Sequence, residues 1–524
     1  MRSRFDPEGA FSRLALGFLL VSGAVSASCV NKDGEDLVPQ LMSFPIAIEL
    51  SKDQDDEGKP RFLYVSSSNF ALQYNSGNVQ SYDIEKMLDG IRSGCVGAGI
   101  NQACLEDDFE GDINDDVCVC DPESDADCVA VPPDRCSVVP AELQFRDPGA
   151  ALRLIPVEGL IPGEVVIGSF SDGMGVSTDG RRIYIPVRSD ANLTYIDVNE
   201  QGQLACGGAF GERHTCQAAY RSGSEEQVNP TVEDLYLPPD PVDVYVGDLA
   251  ADFAPPGSED EEAFQGDYIL MAHREGAASM FFDQLRPGGP EPQKRPRLAA
   301  SLEELAPEQV TITYEPNAKR AWIPSALSTQ VTRVGIGIDG DPTQSYLFDA
   351  GTLFVTGLDT GTSNRDIRFD PRPDRDLAYI VSRAPEALVV ARTNVAGGDL
   401  DMVGQVSVCR DPSRVQLAEV PARGGTVVLA FVSCFLSRRV DVIDTDKLQG
   451  ITTLSNVSGA FEFVLDGPRL LMYTADFSTS VLRVASLQPI VDCLESVSTD
   501  PSEECAPELL GLVGFPQPVS ELPR

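Results

Sequence analysis

Histidine is scarce in this chain, so its candidate chemistry falls to carboxylates, arginines and cysteines: 524 residues contain only His214 and His273. That scarcity argues against a His-rich zinc site, a haem site or a histidine-based triad. The stretch "DFEGDINDD" sets Asp108, Glu110, Asp112, Asn114 and Asp116 at alternating positions, in a region without Lys or Arg between Ser93 and Asp134. Oxygen ligands so spaced can wrap Ca²⁺, which makes this loop the candidate metal site and calcium the one candidate cofactor. The EF-hand pattern departs here, since Ile113 stands where its turn needs Gly and Val119 where its final Glu belongs. Three arginines follow apolar runs in similar contexts: Arg188 in "PVRSD", Arg274 in "AHREG" and Arg383 in "VSRAP". Brought to one surface, they would bind an anion or carboxylate through charge-assisted hydrogen bonds. No Gly-rich phosphate loop stands at a strand-helix junction, so nucleotide use has no support.

The thirteen cysteines point to an oxidising compartment and to one odd thiol. Six lie between Cys95 and Cys136, where fifteen connectivities stay open. Three separate pairs follow: Cys206 with Cys216, Cys409 with Cys434 and Cys493 with Cys505. Cys29 is left over. It follows Arg2, Arg4 and Arg13, the apolar run Leu14 to Val25 and the small residues "SAS". That order reads as a secretory signal peptide over residues 1–28, because a membrane span needs about 20 apolar residues. A cysteine at this place resembles the lipid-modified first residue of bacterial lipoproteins, with Ala27 and Ser28 fitting and Ser26 replacing the usual aliphatic residue. The resemblance implies lipidation at Cys29, a polar tether over residues 29–40 and attachment to the outer membrane.

These residues need a frame, and the chain repeats one. A β-rich run, a turn and a second β-rich run recur seven times. The copies are Phe62 to Ile84, Arg182 to Val198, Tyr268 to Phe282, Ala321 to Gly337, Leu377 to Arg392, Val427 to Asp444 and Leu470 to Ser486. Each reads as a hairpin bounded by Gly, Asn, Asp and Ser. Shorter apolar runs precede some of them, as in "GMGVS", "QVTITY", "DIRFD" and "FEFVL", and others follow, as in "EVVIGSF", "TLFVTGL" and "MVGQVSV". Four antiparallel strands in about 40–50 residues is the pattern of a propeller blade. The predicted fold is therefore all-β, a seven-bladed β-propeller over residues 41–486 with disulfide-rich loop insertions. The main insertion is the acidic segment 89–140 between the first and second blades, and Gly257 to Asp267 belongs to another. Residues 487–524 form a disulfide-stapled segment expected to complete the last blade through "LLGLVGF". The first strand, "MSFPIAIEL", is expected to pair with that same blade and close the ring.

The unit containing "IYIPVRSDANLTYIDV" resembles the YVTN-like seven-bladed propellers of bacterial extracytoplasmic proteins. That class includes surface-layer and lactonase-like members. With 81 acidic against 40 basic residues, the formal charge is −41. Such a field repels nucleic acid and favours cations and basic partners. The sequence therefore reads as an extracytoplasmic, lipid-anchored binding or scaffold protein of the bacterial cell envelope. Its partner would be an envelope protein or a cell-surface ligand. The alternative is a propeller enzyme, a lactonase-like hydrolase or quinoprotein-type oxidoreductase, working at the central channel.

Overall fold

The computed structural model describes residues 39–40, 42–68, 76–93, 154–155, 159–224, 235–254, 264–284, 295–315, 318–338, 344–355, 363–393, 400–455, 457, 459–495 and 505–514. The signal segment, Cys29, the tether, the six cysteines from Cys95 to Cys136 and the carboxylates from Asp108 to Asp116 lie outside the described residues.

Seven antiparallel sheets follow one another along the chain and form the blades of a propeller. Their inner strands are Pro45–Leu50, Gly175–Val176, Pro241–Asp248, Thr313–Glu315, Asn364–Phe369, Pro412–Ala422 and Ala460–Asp466. All seven repeated hairpins are the second and third strands of successive blades, from Phe62–Ser67 with Gly77–Asp83 to Leu471–Asp476 with Val481–Ser486. The reason lies in a period visible along the second strands. Tyr64, Tyr184, Trp322, Tyr379, Phe431 and Tyr473 occupy one equivalent level, with Leu270 in the third blade, and none exceeds 1% exposure. A large ring at that level fills the wedge between neighbouring twisted sheets, and burying each contributes roughly 1.5–3 kcal/mol.

Closure differs from the expected pairing. The strand Pro45–Leu50 pairs with Phe62–Ser67 and is the innermost strand of the first blade, not a partner of the last. The last blade ends on Glu508–Val513, within the stretch expected to complete it, which pairs with Val481–Ser486. The seam is sealed by packing: Ile48, Leu63, Val65 and Tyr82 of the first blade share one core cluster with Tyr473, Leu482, Val484 and Val513 of the last. The helix Ile84–Ser93 adds Ile84, Met87, Leu88 and Ile91, spaced for a single apolar face.

Two short parallel strands reach across blade boundaries. Leu154–Ile155, from the long insertion of the first blade, pairs with Glu508–Val513 of the last. His214–Thr215, from the second blade, pairs with Gly163–Ile167 of the first. They cover outer edges that would otherwise present unpaired backbone groups. The structure joins Cys206 to Cys216, Cys409 to Cys434 and Cys493 to Cys505, with Cα atoms 4.8, 5.8 and 5.5 Å apart. The first of these holds the crossing segment that carries His214. Among the described residues no helix is long and apolar enough to cross a membrane.

Candidate functional site

Each inner strand begins with a pairing to the end of its second strand, followed by one extra residue. The starting pairs are Pro45 with Ser67, Ser171 with Val187, Pro241 with His273, Gln309 with Ser325, Asn364 with Ser382, Pro412 with Cys434 and Ala460 with Asp476. A bulge at the same place in every blade aims equivalent residues at equivalent levels of the axis. Two positions after the starting residue stand Ala47, Gly173, Asp243, Thr311, Asp366, Arg414 and Glu462. Four positions after it stand Glu49, Gly175, Tyr245, Thr313, Arg368, Gln416 and Val464. Most of both sets line one axial cavity of about 530 Å³. Lys52, Gln54 and Pro60, from the loop between the first and second strands of the first blade, stand at one end of it.

The first set is a polar circuit. Asp243 accepts from Thr311 Oγ1 at 2.5 Å and from the Ile312 backbone at 3.0 Å, tying the third blade to the fourth. Asp366 accepts from the Val415 backbone at 2.9 Å, tying the fifth to the sixth. Arg414 donates through Nε to Glu462 Oε2 at 2.5 Å, tying the sixth to the seventh. Gly173 completes this side, because a Cβ there would stand 2.2 Å from Asp243 Oδ1. Burial opposes the charge on Arg414, but Glu462, Asp366 and Asp243 outweigh it and hold its pKa above the ordinary value. Burial also raises Glu462 to about 6 against the pull of Arg414, and it raises Asp243.

The second set leaves one group unspent. Arg368 donates to Thr313 Oγ1 at 2.9 Å and pairs with Asp366 at 3.2 Å. Glu49 is half-buried, lines the cavity and makes no hydrogen bond or ion pair with any described residue. Burial is the main reason its pKa is pushed up to about 7; Glu462 and Asp243 add to the rise, while Lys52 and Arg368 oppose it. A carboxyl group so poised can accept a hydrogen bond, hold a cationic group or move a proton near neutrality.

The three arginines singled out in the sequence stand on the opposite mouth, each at the end of a second strand. All are engaged by an acid just before the next blade's inner strand or at its edge. Arg188 pairs with Asp172 at 2.9 Å and Asp240 at 2.6 Å, Arg274 with Glu308 at 2.7 Å, and Arg383 with Asp411. They are blade-to-blade ties as well as a basic rim. His273 is fully buried and held neutral, with burial pushing its pKa down to about 4; its ring lies against Pro239 O and Ser279 Oγ. His214 is half-buried and accepts from the Cys206 backbone through Nε2 at 3.0 Å. Trp322 is core, as its strand position implies. Among the described residues the one group with metal-ligand spacing is Cys409, Cys434 and Asp441, and its two sulfurs are already joined to each other.

The axial residues were missed in the sequence although six polar ones sit in runs recognised as strands. "MSFPIAIEL" carries Glu49, "DIRFD" carries Asp366 and Arg368, "FEFVL" carries Glu462, and "QVTITY" carries Thr311 and Thr313. Their signal was a polar residue at alternate positions of an otherwise apolar run, repeated at the blade period.

No protein-family model matches the chain, and no curated protein sequence matches it. Among solved structures it is similar to hydrazine synthase from Kuenenia stuttgartiensis, at 10% identity and a TM-score of 0.45 over 87% of this chain and 98% of that one. It is also similar to a periplasmic gluconolactonase from Pseudomonas aeruginosa, at 14% identity and a TM-score of 0.43 over 79% and 86%. A functionally unknown protein from Desulfotomaculum acetoxidans gives 14% identity and 0.41 over 68% and 92%. Scores this low carry no functional implication for this chain.

Proposed function

We propose that this chain is an extracytoplasmic binding protein of the bacterial envelope, anchored through Cys29, whose axial cavity holds a small hydroxyl-rich ligand such as a sugar or polyol. The observation that carries the reading is Glu49, a half-buried carboxyl group without a partner among the described residues, in a cavity of about 530 Å³. Around it Thr313, Gln416 and Arg368 supply further donors and acceptors, and the half-buried Tyr245 offers a flat apolar face. Alternating hydroxyl groups and C–H faces match such a mixture of polar groups and one aromatic surface. Three disulfides among the described residues fit an oxidising compartment.

The test is calorimetry of the purified protein against a panel of monosaccharides, sugar acids and polyols, repeated with Glu49→Gln. At least one compound should bind, and the variant should weaken it about tenfold or more, the effect of losing a hydrogen bond to a charged group. A panel that fails throughout, or binding undiminished in Glu49→Gln, contradicts the reading.

A second reading is favoured by the elevated pKa of Glu49, which suits a general base. As a lactone hydrolase, the Glu49 carboxylate would take a proton from water as its oxygen adds to the lactone carbonyl, and would return that proton to the ring oxygen as the ring C–O bond breaks, leaving an open hydroxy acid. Turnover would rise with pH through about 7 and disappear in Glu49→Gln.

A further inference from the structure

At the mouth opposite Lys52, the extra residue of each bulge forms a third level: Ile46, Asp172, Val242, Val310, Arg365, Ser413 and Phe461. Asp172 is held by Arg188 at 2.9 Å. Arg365 has no side-chain partner among the described residues. It is half-buried and makes no hydrogen bond or ion pair with the described residues, and its Nε is shielded from solvent. Unpaired buried polar atoms gather at this corner of the fifth blade. Ser363 Oγ, Asn364 Oδ1 and Ser382 Oγ also lack partners among the described residues, and Asn364 pairs with Ser382 across the sheet. A native corner seldom leaves four such atoms unmatched, because each costs about 1–3 kcal/mol.

The strongest charge influences on Arg365 come from three guanidinium groups and one carboxylate. Burial and the guanidinium groups of Arg383, Arg414 and Arg274 push the pKa of Arg365 down to about 10, with Asp411 opposing them. Asp411 is already engaged by Arg383. In an assembly of net charge −41, a guanidinium left unpaired among other arginines is a specific feature rather than a general one.

The neighbouring blades supply apolar surface. Phe461 occupies in the seventh blade the place Arg365 occupies in the fifth, with Ser413 between them in the sixth. Its ring lies 6.4 Å from that of Phe477, which is 5.9 Å from Phe435. All three rings are half-buried, and Leu436 beside Phe435 is 61% exposed. Arg414 joins the two halves, its guanidinium 5.4 Å from the Phe461 ring.

We infer that this mouth binds an organic carboxylate with an apolar or aromatic body, the carboxylate meeting the guanidinium of Arg365 and the body lying on Phe461, Phe477 and Phe435. A guanidinium fork matches a carboxylate oxygen pair, and the rings match the rest of such a molecule. The site lies at the opposite end of the axis from Lys52, shares Arg414 with the lining of the Glu49 cavity, and is tested without reference to Glu49.

The experiment is calorimetric titration of the intact protein with 3-phenylpropionate, its neutral analogue 3-phenylpropanol and inorganic phosphate. Each is repeated with Arg365→Gln, and with Arg392→Gln as a charge-matched control at an outer strand where the side chain is 57% exposed. Phenylpropionate should bind more tightly than either comparison compound. Arg365→Gln should weaken it about tenfold or more while Arg392→Gln leaves it unchanged. Arg365→Gln should also fold at least as stably as the parent, since it removes an unpaired half-buried charge, so lost binding would not reflect lost structure. Absence of phenylpropionate binding at millimolar concentration, equal binding to Arg365→Gln, or a preference for phosphate overturns the inference.

Discussion

Replacing Arg414 with methionine should destabilise the propeller by about 3–5 kcal/mol at neutral pH, more than any other single change along the axis. Arg414 is 7% exposed and bonded to Glu462, and its charge also stabilises Asp366 and Asp243. Methionine keeps much of the volume but leaves these carboxylates without their shared cation, and a buried charge stripped of its partner costs far more than the pair contributed. The loss should shrink as the pH falls. Without Arg414 the folded-state pKa values of Glu462 and Asp243, already raised by burial, rise further above their unfolded values, so the folded state takes up protons that the unfolded chain does not. Stability of the variant relative to wild type therefore recovers as pH drops through those raised values. Urea unfolding at pH 7.5 and pH 5 measures both quantities. A variant within about 1 kcal/mol of wild type at pH 7.5 would mean that water in the cavity screens the axis and that the polar circuit is not structural.

The second large effect belongs to Glu49 and runs in the opposite direction. Its pKa rises from 4.5 to about 7 on folding, so the folded state holds an extra proton between those values. Stability contributed by that proton is present in full below pH 4.5 and is lost progressively up to pH 7, by up to about 3 kcal/mol at 1.36 kcal/mol per pK unit. Glu49→Gln keeps the neutral form at every pH. The variant should match wild type near pH 4.5 and exceed it by about 2–3 kcal/mol at pH 8, at the expense of the ligand site. The other groups facing Glu49 are Glu462 and Asp243, which raise its pKa, and Lys52 and Arg368, which lower it. All four remain in the variant, so the difference between the two profiles isolates one carboxyl group. Parallel profiles from pH 4.5 to pH 8 would place Glu49 in open solvent.

The hairpins were legible in the sequence because they carry two signals together, an apolar run with β-branched residues and a turn on a regular period. The structure shows the same period in the buried level of Tyr64, Tyr184, Trp322, Tyr379, Phe431 and Tyr473. The inner strands were harder. Gly175–Val176 and Thr313–Glu315 are only two and three residues long, and Pro412–Ala422 passes from four buried residues to mostly half-buried and exposed ones without a strong apolar run. Ring closure was misassigned for a physical reason: Pro45–Leu50 is as apolar as an outer strand would be, and pairing partners are invisible to composition. The seam instead rests on side-chain packing and on one parallel clasp of two residues, Leu154–Ile155 against Glu508–Val513, which no sequence period announces.

The site followed the same division. Arg188, Arg274 and Arg383 were found because they recur at one place in the repeat, and the fold gives each an acidic partner from the adjoining blade. Glu49, Arg368 and Arg365 each occur once, at levels set by a bulge whose position becomes clear only when the strands are paired. A polar residue inside a short apolar strand was the visible trace, and what gives it meaning is the convergence of seven strands on one axis.

The account rests on a carboxyl group held unpaired in the axial cavity, and the most direct measurement is its own titration. Protein labelled with ¹³C at the glutamate side-chain carboxyl, followed by NMR from pH 4 to pH 9, yields the resonance of Glu49 by comparison with Glu49→Gln. The account predicts a midpoint near 7, moving when a cavity ligand is added. A midpoint near the ordinary 4.5, unmoved by any ligand of the panel, would contradict it.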